Sequence, residues 1–262
     1  MIIFTDDFET GNLSKWDGVY NEPQMSPPDV GSVVVYRGNY AAHVHVKSMS
    51  SVYAGCYKNI SQKHVNQRQY IQFTPFNNLN AGSLKFADVA RLDLSDEIQA
   101  TIERDVAGNT VWELQIKEQG VWSKHPSTIV AVPNQWYCVE VEAQAATVGG
   151  DGIARLYING VLAVELLNCN FGTAPFDRVY IGLIWTEMQC EADYDVYIDD
   201  FALGDSYIGP EGAPPTMAKI TYQSSPIAVN ATIDGQTVPS GGQIEAPLNS
   251  SITLTVPSEA TT

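Results

Sequence analysis

The chain has 262 residues, which is long enough for one large β domain or for a medium domain with a smaller one. Its 30 acidic and 14 basic residues give a net charge of −16, and no cluster of Lys and Arg offers the phosphate contacts that nucleic acids need. No apolar run approaches the ~20 residues of a membrane-spanning helix. The composition argues against a nucleic-acid partner and membrane insertion, and the acidic surface suits a secreted protein, a cation binder or contact with neutral sugars.

Short segments of alternating apolar and polar residues follow one another along the chain, and helical periodicity is almost absent. In chain order they are SVVVYR, AAHVHVKS, SVYAGCYKNI, RQYIQFTPF, SLKFADVARLDL, EIQATIERD, VWELQIKE, WYCVEVEA, IARLYINGVLAVEL, RVYIGLIW and YDVYIDDFAL. Gly, Asn, Asp or Pro bounds each segment, a spacing typical of sandwiches and barrels. About a dozen strands exceed the seven to nine of an immunoglobulin domain. The pattern therefore predicts an all-β fold in which residues 1–208 form an antiparallel two-sheet jelly-roll sandwich.

One turn and one domain boundary follow from Gly, Asn and Pro. The dipeptide Asn159-Gly160 predicts a type I′ hairpin, because both residues tolerate positive φ. Residues 209–216, GPEGAPPT, cannot continue a ladder and are predicted to be a linker. Residues 217–262 are shorter than the about 100 residues of an independent sandwich. We expect them to form a partial immunoglobulin-like β module of a longer protein, or otherwise a small β addition to the first domain.

Weak signals favour an extracellular location. Sequons of the Asn-x-Ser/Thr type occur at Asn12, Asn59, Asn230 and Asn249, although such sequons also arise by chance. The opening MIIFTDDFET lacks the features of a signal peptide, so we expect that a leader has been removed. The even number of cysteines permits disulfides, and they lack the C-x-x-C spacing of metal sites. Cys169 and Cys190 end neighbouring predicted strands and are the first pair to test.

Two aspartates interrupt the last alternating segment, YDVYIDDFAL. The parity of Val196 and Ile198 places Asp200 on the core side, where an unpaired carboxylate costs several kcal/mol. Either the chain bulges at Asp199 and Asp200, or a partner neutralises the charge. A second acidic cluster, DDFE at residues 6–9, lies near the start, and the first and last strands of a jelly roll often lie side by side. A calcium ion with six to eight oxygen ligands would explain the slip and the carboxylates together, whereas a bulge without a cation explains the slip alone.

Three stretches resemble a known superfamily: DDFETGNLSKWD, WYCVEVEA with GIARLYINGVLAVEL, and RVYIGLIW with YDVYIDDFALGD. Over about residues 4–205 they resemble the concanavalin A-like lectin/glucanase superfamily, with laminin-G-type domains nearest. The FE-x-G-x-L-x-x-W opening and the YIDD ending are similar to carbohydrate-binding modules with a structural calcium. The resemblance implies that Glu9 and Asp200 hold this ion, with Asp7 and Asp199 as secondary candidates. The superfamily includes lectins, adhesins, glycoside hydrolases and polysaccharide lyases, so the resemblance implies a glycan partner.

No catalytic site is recognisable in the sequence. Retaining glycosidases need two carboxyl groups about 5 Å apart, and those of this superfamily carry a pattern like E-x-D-x-(x)-E. The nearest string, EADYD, contains Glu191, Asp193 and Asp195 but lacks the second Glu. We interpret it as a solvated acidic edge.

Five residues with outward parity are candidate ligand contacts: His43, His45, Tyr70, Gln72 and Arg91. A polysaccharide lyase would use such a set as base and carboxylate neutraliser, a lectin would use it for sugar contact, and ordinary surface residues are the remaining interpretation. Tyr57 and Trp185 are further aromatics that we expect to face a ligand. Trp112 and Tyr137 alternate with apolar residues, so we expect them in the core.

The sequence therefore favours a non-catalytic extracellular or cell-surface domain that binds glycans or mediates adhesion and carries a structural calcium. A polysaccharide lyase or glycoside hydrolase of the same fold is one alternative. A structural spacer of a surface or fibre protein is the other.

Overall fold

The computed structural model describes residues 1–49, 51–76, 82–104, 110–187, 192–211, 217–221, 231–233, 236–241, 243–247 and 254–255. The chain divides into two units, Met1–Pro210 and Glu211–Thr262. The division falls inside the Pro/Gly segment that the sequence marks as a linker. Within the described residues every regular element is a strand, and none is a helix that could cross a membrane.

The described part of the first unit contains fifteen strands. They are β1 (Ile2–Asp6), β2 (Gly18–Asn21), β3 (Asp29–Gly31), β4 (Ala41–Val46), β5 (Ala54–Gln62), β6 (His64–Phe73), β7 (Gly82–Ala90), β8 (Glu97–Arg104), β9 (Thr110–Glu118), β10 (Val121–Val130), β11 (Tyr137–Gln144), β12 (Gly152–Ile158), β13 (Val161–Cys169), β14 (Phe176–Thr186) and β15 (Tyr194–Gly204).

These strands form two antiparallel sheets. Sheet I has the order β13-β12-β11-β6-β15-β4-β3, with β1 added alongside β15. Sheet II has the order β10-β9-β8-β7-β14-β5-β2. The sheets pack face to face without closing into a barrel, so the predicted two-sheet sandwich is confirmed.

The core lies between the sheets, where alternate residues of each strand point inward. The rings of Phe73 in sheet I and Phe86 in sheet II lie 6.2 Å apart, and both side chains are fully buried. Trp112 and Tyr137 meet in this core at 5.3 Å, as the sequence predicts. Each such side chain contributes roughly 1.5–3 kcal/mol by leaving water. The alternating apolar residues therefore fix which face of every strand remains for function.

The strand β15 is the last strand of the first unit. Its pairing with β1 confirms that the first and last strands of the jelly roll lie side by side. Its register with β6 shifts between Asp199 and Ala202, and Asp200 has a φ of 44°, so the chain bulges at the two aspartates, which is one of the explanations that the sequence left open. After the bulge Phe201 and Leu203 point into the core.

The segment SVVVYR, residues 32–37, is not a strand, so that prediction is wrong. The N–H groups of Tyr36 and Arg37 donate to Oδ2 of Asp199 at 2.9 and 3.1 Å. Because a side chain takes these donors, they do not join a ladder. The predicted turn at Asn159-Gly160 is confirmed, since both residues have positive φ between β12 and β13.

The second unit contains five strands in its described residues. They are β16 (Met217–Thr221), β17 (Ala231–Ile233), β18 (Gln236–Val238), β19 (Gln243–Pro247) and β20 (Leu254–Thr255). β16 pairs with β19, and β17 pairs with β18 and β20. The immunoglobulin-like assignment stays a prediction. The Cys169–Cys190 pairing also stays one, because Cys190 lies outside the described residues.

Asp6 anchors the segment that follows β1. Its fully buried carboxylate accepts hydrogen bonds from the backbone N–H of Phe8 (3.0 Å), from Nζ of Lys15 (3.0 Å) and from Nε1 of Trp16 (2.8 Å). The indole of Trp16 in turn packs 4.9 Å from the ring of Phe201 in β15. One carboxylate thus fastens the loop to both terminal strands.

Asp6→Asn is expected to lower the free energy of unfolding by about 2 kcal/mol, because its amide would present donors to groups that themselves donate. Asp7→Asn is the matched control, since its carboxylate is exposed and lies 3.4 Å from the same Lys15 ammonium. We expect that change to stay within about 0.5 kcal/mol. Urea unfolding of both variants measures the difference, and equal stability of the two would contradict this role of Asp6.

Candidate functional site

Residues 36–40 form a loop that meets carboxylates from both ends of the first unit. Oε1 of Glu9 accepts the backbone N–H groups of Asn39 (2.7 Å) and Tyr40 (2.9 Å), and Oε2 accepts from Nδ2 of Asn39 (2.9 Å). These donors hold the pKa of Glu9 below its usual value. Gly38 has a φ of 75°, and a Cβ there would collide with the Glu9 carboxylate. The glycine therefore permits the close approach.

The aspartates of the bulge reach the same loop. Asp199 accepts two N–H groups from it, and Asp200 lies 3.6 Å from Nε of Arg37. Burial raises the pKa of Asp199 to about 6, although the backbone donors oppose this. Asp7 instead lies exposed beside Lys15.

The four carboxylates predicted to hold calcium are thus not a ready ligand set. Among the described residues, no three His, Cys, Asp or Glu side chains are grouped to hold a metal ion. A calcium site here requires backbone carbonyl oxygens of the 36–40 loop besides Glu9 and Asp200, a mixture that Ca²⁺ accepts. Calcium stays a prediction.

Four of the five predicted ligand contacts share the outward face of sheet I. His43 and His45 lie on β4, Tyr70 and Gln72 lie on β6, and β15 runs between the two strands. Tyr197 of β15 is directly opposite both His43 and Gln72. The strands required for convergence are therefore adjacent, which the sequence alone could not establish.

The ring nitrogens of both histidines form hydrogen bonds with aspartates. Nε2 of His43 and Nδ1 of His45 each lie 2.9 Å from Oδ1 of Asp195, and Nδ1 of His43 lies 2.9 Å from Asp29. The hydrogen bond to Asp195 raises the pKa of His45. Asp193 contacts His45 at 3.3 Å. Two carboxylates of the string EADYD thus pair with histidines, while Glu191 lies outside the described residues.

Two of the predicted contacts are poorly placed for a ligand. The Tyr70 ring is 4% exposed and stacks under Tyr36 with ring centroids 3.8 Å apart. Arg91 follows β7 of sheet II, so it does not share the outward face of sheet I with the other four candidates. Its Nη2 donates to the carbonyl oxygens of Gly172 (2.7 Å) and Ala174 (2.9 Å). Arg91 therefore ties two loops together.

The open part of the sheet I face is small. A cavity of about 180 Å³ lies beside His43, Asp195 and Tyr197, where residues 31–34 form the other wall. It is too small for most of a sugar chain.

A larger groove, of about 470 Å³, lies on the outward face of sheet II. Its wall contains five aromatic residues: Tyr20, Tyr53, Tyr180, Trp185 and Trp122. Four of these rings form a row in which each ring contacts the next. The ring centroids of Trp185 and Tyr53 lie 6.0 Å apart, those of Tyr53 and Tyr20 lie 6.0 Å apart, and those of Tyr20 and Tyr180 lie 5.5 Å apart. The first two contacts are nearly parallel. A continuous aromatic wall results, to which β2, β14 and the residue before β5 contribute.

The floor of this groove is polar and buried. Strand alternation turns Asp88 of β7 and Gln99 of β8 outward, directly opposite each other, and Glu97 is the next outward residue of β8. Nε2 of Gln99 donates to Oδ2 of Asp88 (3.1 Å) and to Oε2 of Glu97 (3.2 Å). Burial, with Glu97 nearby, raises the pKa of Asp88 well above its usual value.

Two oxygen atoms of the floor have no hydrogen-bond partner among the described residues: Oδ1 of Asp88 and Oε1 of Gln99. Asp88 is 2% exposed and Gln99 is 3% exposed. Leaving a buried acceptor unsatisfied costs about 1–3 kcal/mol. A donor that reaches them from the groove, on a ligand or on water, would remove this cost.

The lysines around the groove are paired with carboxylates. Lys117 donates to Oε1 of Glu97 at 2.9 Å, and the Lys85 and Lys124 ammonium groups lie 3.7 and 3.4 Å from Glu187. Burial works to raise the pKa of Glu187, but these two lysines outweigh it and lower the pKa. The ammonium of Lys85 also lies 4.6 Å from the ring centroid of Trp122.

The sequence identified only part of this groove. Trp185 was expected to face a ligand and lines it, and Tyr57 lies beside it, 6.1 Å from Tyr180. Asp88, Glu97 and Gln99 were missed. Their signal is the polar alternation of SLKFADVA and EIQATIER, which indicates an outward face but not that aromatic rings cover it.

The sequence matches no protein-family model and no curated protein. Solved structures do share the fold. An endo-β-1,4-glucuronan lyase from the fungus Trichoderma reesei is 15% identical with a TM-score of 0.58, over 79% of this chain and 96% of that one. An alginate lyase variant in complex with alginate trisaccharide is 13% identical with a TM-score of 0.58, over 78% and 98%. A cellulose-induced protein is 14% identical with a TM-score of 0.56, over 79% and 100%.

At identities this low the likeness establishes the fold alone. Carbohydrate-active proteins are among those that use it. The chain folds as a concanavalin A-like jelly-roll sandwich, as the sequence resemblance implied.

Proposed function

We propose that the protein binds glycans, without cleaving them, in the groove on sheet II. The observation that carries this proposal is a wall of contacting aromatic rings above a buried amide and carboxyl with partnerless oxygens. Pyranose rings have an apolar face that packs on aromatic rings and hydroxyl groups that donate to such oxygens. A concave site with a few convergent polar groups is the usual form of a ligand pocket.

The outward face of sheet I supports the proposal less well. Its cavity of about 180 Å³ compares with about 470 Å³ in the groove. Its histidines already bond Asp195, and Tyr36 covers the aromatic ring of Tyr70. We therefore place the ligand on sheet II, although the sequence favoured residues of sheet I.

A glycoside hydrolase is the second candidate, and one observation favours it. A single nitrogen of Gln99 contacts both Asp88 and Glu97, which places their oxygens within about 6 Å, near the spacing of retaining enzymes. The raised pKa of Asp88 suits a general acid, and the Lys117 partner of Glu97 suits an ionised nucleophile. A lyase has less support, because its substrate carboxylate needs a cation and the groove lysines described above are engaged.

We infer an extracellular location as part of the proposal. Asn12 and Asn59 of the predicted sequons are exposed, which glycosylation requires. Asn230 and Asn249 lie outside the described residues.

Trp185→Ala is expected to weaken glycan binding about tenfold, because a stacked ring contributes about 1 kcal/mol beyond its buried area. Affinity electrophoresis in gels that contain single polysaccharides identifies the ligand, and calorimetry then gives the dissociation constant. His43→Ala is the control on sheet I and should bind like the parent. The thermal melting of both variants should remain close to that of the parent.

The same polysaccharides distinguish the alternatives. Weaker binding by His43→Ala with normal binding by Trp185→Ala would move the site to sheet I. New reducing ends that both Asp88→Asn and Glu97→Gln abolish would establish the hydrolase, and products that absorb near ~235 nm would establish a lyase. No retention on any polysaccharide would favour a structural spacer.

We also propose that calcium stabilises the first unit through Glu9 and Asp200. Millimolar calcium should raise the melting temperature relative to chelator, because a ligand that binds only the native state stabilises it by mass action. Glu9→Gln and Asp200→Asn should each remove most of this increase, whereas Asp29→Asn should retain it. An identical melting curve in calcium and in chelator would contradict the site.

A further inference from the structure

The floor of the groove presents two acceptors to a ligand. Asp88 and Gln99 face each other across β7 and β8, and the partnerless Oδ1 and Oε1 atoms belong to side chains less than 5% exposed. A ligand group beside Asp88 therefore meets acceptor atoms, to which it must donate. A single hydroxyl group has one hydrogen to donate, whereas an ammonium group has three and needs no donor in return.

The charges around the floor favour a cation over an anion. Asp88 and Glu97 lie on either side of one amide nitrogen, and of these two carboxyl groups only Glu97 bonds a lysine in the described structure. Lys85 and Lys124 lie nearer to Glu187 on the rim. A ligand carboxylate would meet the carboxyl of Asp88. A ligand cation would meet a carboxyl that no lysine contacts directly in the described structure, although Lys85 and Lys117 attract it from a distance.

The aromatic wall supports the same choice. Tyr180 is the residue of β14 directly opposite Asp88, so the two side chains leave the same face of sheet II side by side. A cation next to an aromatic face is stabilised further by the ring quadrupole.

We propose that the groove selects glycans that carry a free amine, a polymer of 2-amino sugars, with the ammonium group against the carboxyl of Asp88. This inference rests on the proposed glycan-binding function and names the class of glycan.

The test compares two β-1,4-linked tetrasaccharides of the same length, one of glucosamine and one of N-acetylglucosamine. Calorimetry at about pH 6, where an aliphatic amine carries its proton, gives both dissociation constants. The glucosamine tetrasaccharide should bind the parent protein at least about tenfold more tightly, the effect of one charged buried hydrogen bond. Equal binding, or tighter binding of the acetylated sugar, would overturn the inference without any variant.

Asp88→Asn should remove the preference, so that the two sugars bind within about twofold. Asp29→Asn also replaces one carboxyl group by an amide, but on sheet I, and should leave the preference intact, which controls for attraction by the acidic surface. A preference that survives Asp88→Asn would overturn the inference. So would retention of a neutral or acidic polysaccharide, dependent on Trp185, without binding of glucosamine, and in that case glycan binding in the groove would still stand.

Discussion

One side-chain amide determines the floor of the groove, because Nε2 of Gln99 bonds both Asp88 and Glu97. Burying carboxyl groups costs free energy unless hydrogen bonds or charges compensate. An outward face that served only solubility would leave such groups in water, yet these three side chains are 2–7% exposed. The aromatic rings of β2 and β14 stand beside them. Burying these polar side chains therefore costs stability, as residues at functional sites often do.

The two outward faces of the sandwich differ in what packs against them. On sheet I, Glu140 accepts the backbone N–H groups of Ile208 and Gly209, both at 2.8 Å, and burial raises its pKa to about 7. Tyr36 stacks on Tyr70 of the same face. This face therefore fixes the segments that leave β3 and β15, and only a small cavity stays open. On sheet II aromatic side chains border the polar row, and in the described residues a groove of about 470 Å³ stays open beside it.

The sequence predicts what short-range alternation controls. It places Trp112 in the core and the bulge at the two aspartates, because neighbours along one strand decide both. The sequence pattern fails where a residue far away in the chain determines the local structure. Residues 32–37 alternate like a strand, but Asp199 takes the N–H groups of Tyr36 and Arg37. The polar row that contains Asp88 is visible in the sequence, whereas its covering by Tyr20 depends on strand order in sheet II, which alternation does not encode.

The central claim is that the ligand lies on sheet II. A crystal structure of the full chain with an oligosaccharide from the polysaccharide that it retains tests this most directly. The account predicts sugar density in the groove, with a ring against the aromatic wall and a donor within hydrogen-bond distance of Oδ1 of Asp88 or Oε1 of Gln99. Sugar density beside His43 and Tyr197 on sheet I, with the groove filled only by solvent, would contradict it.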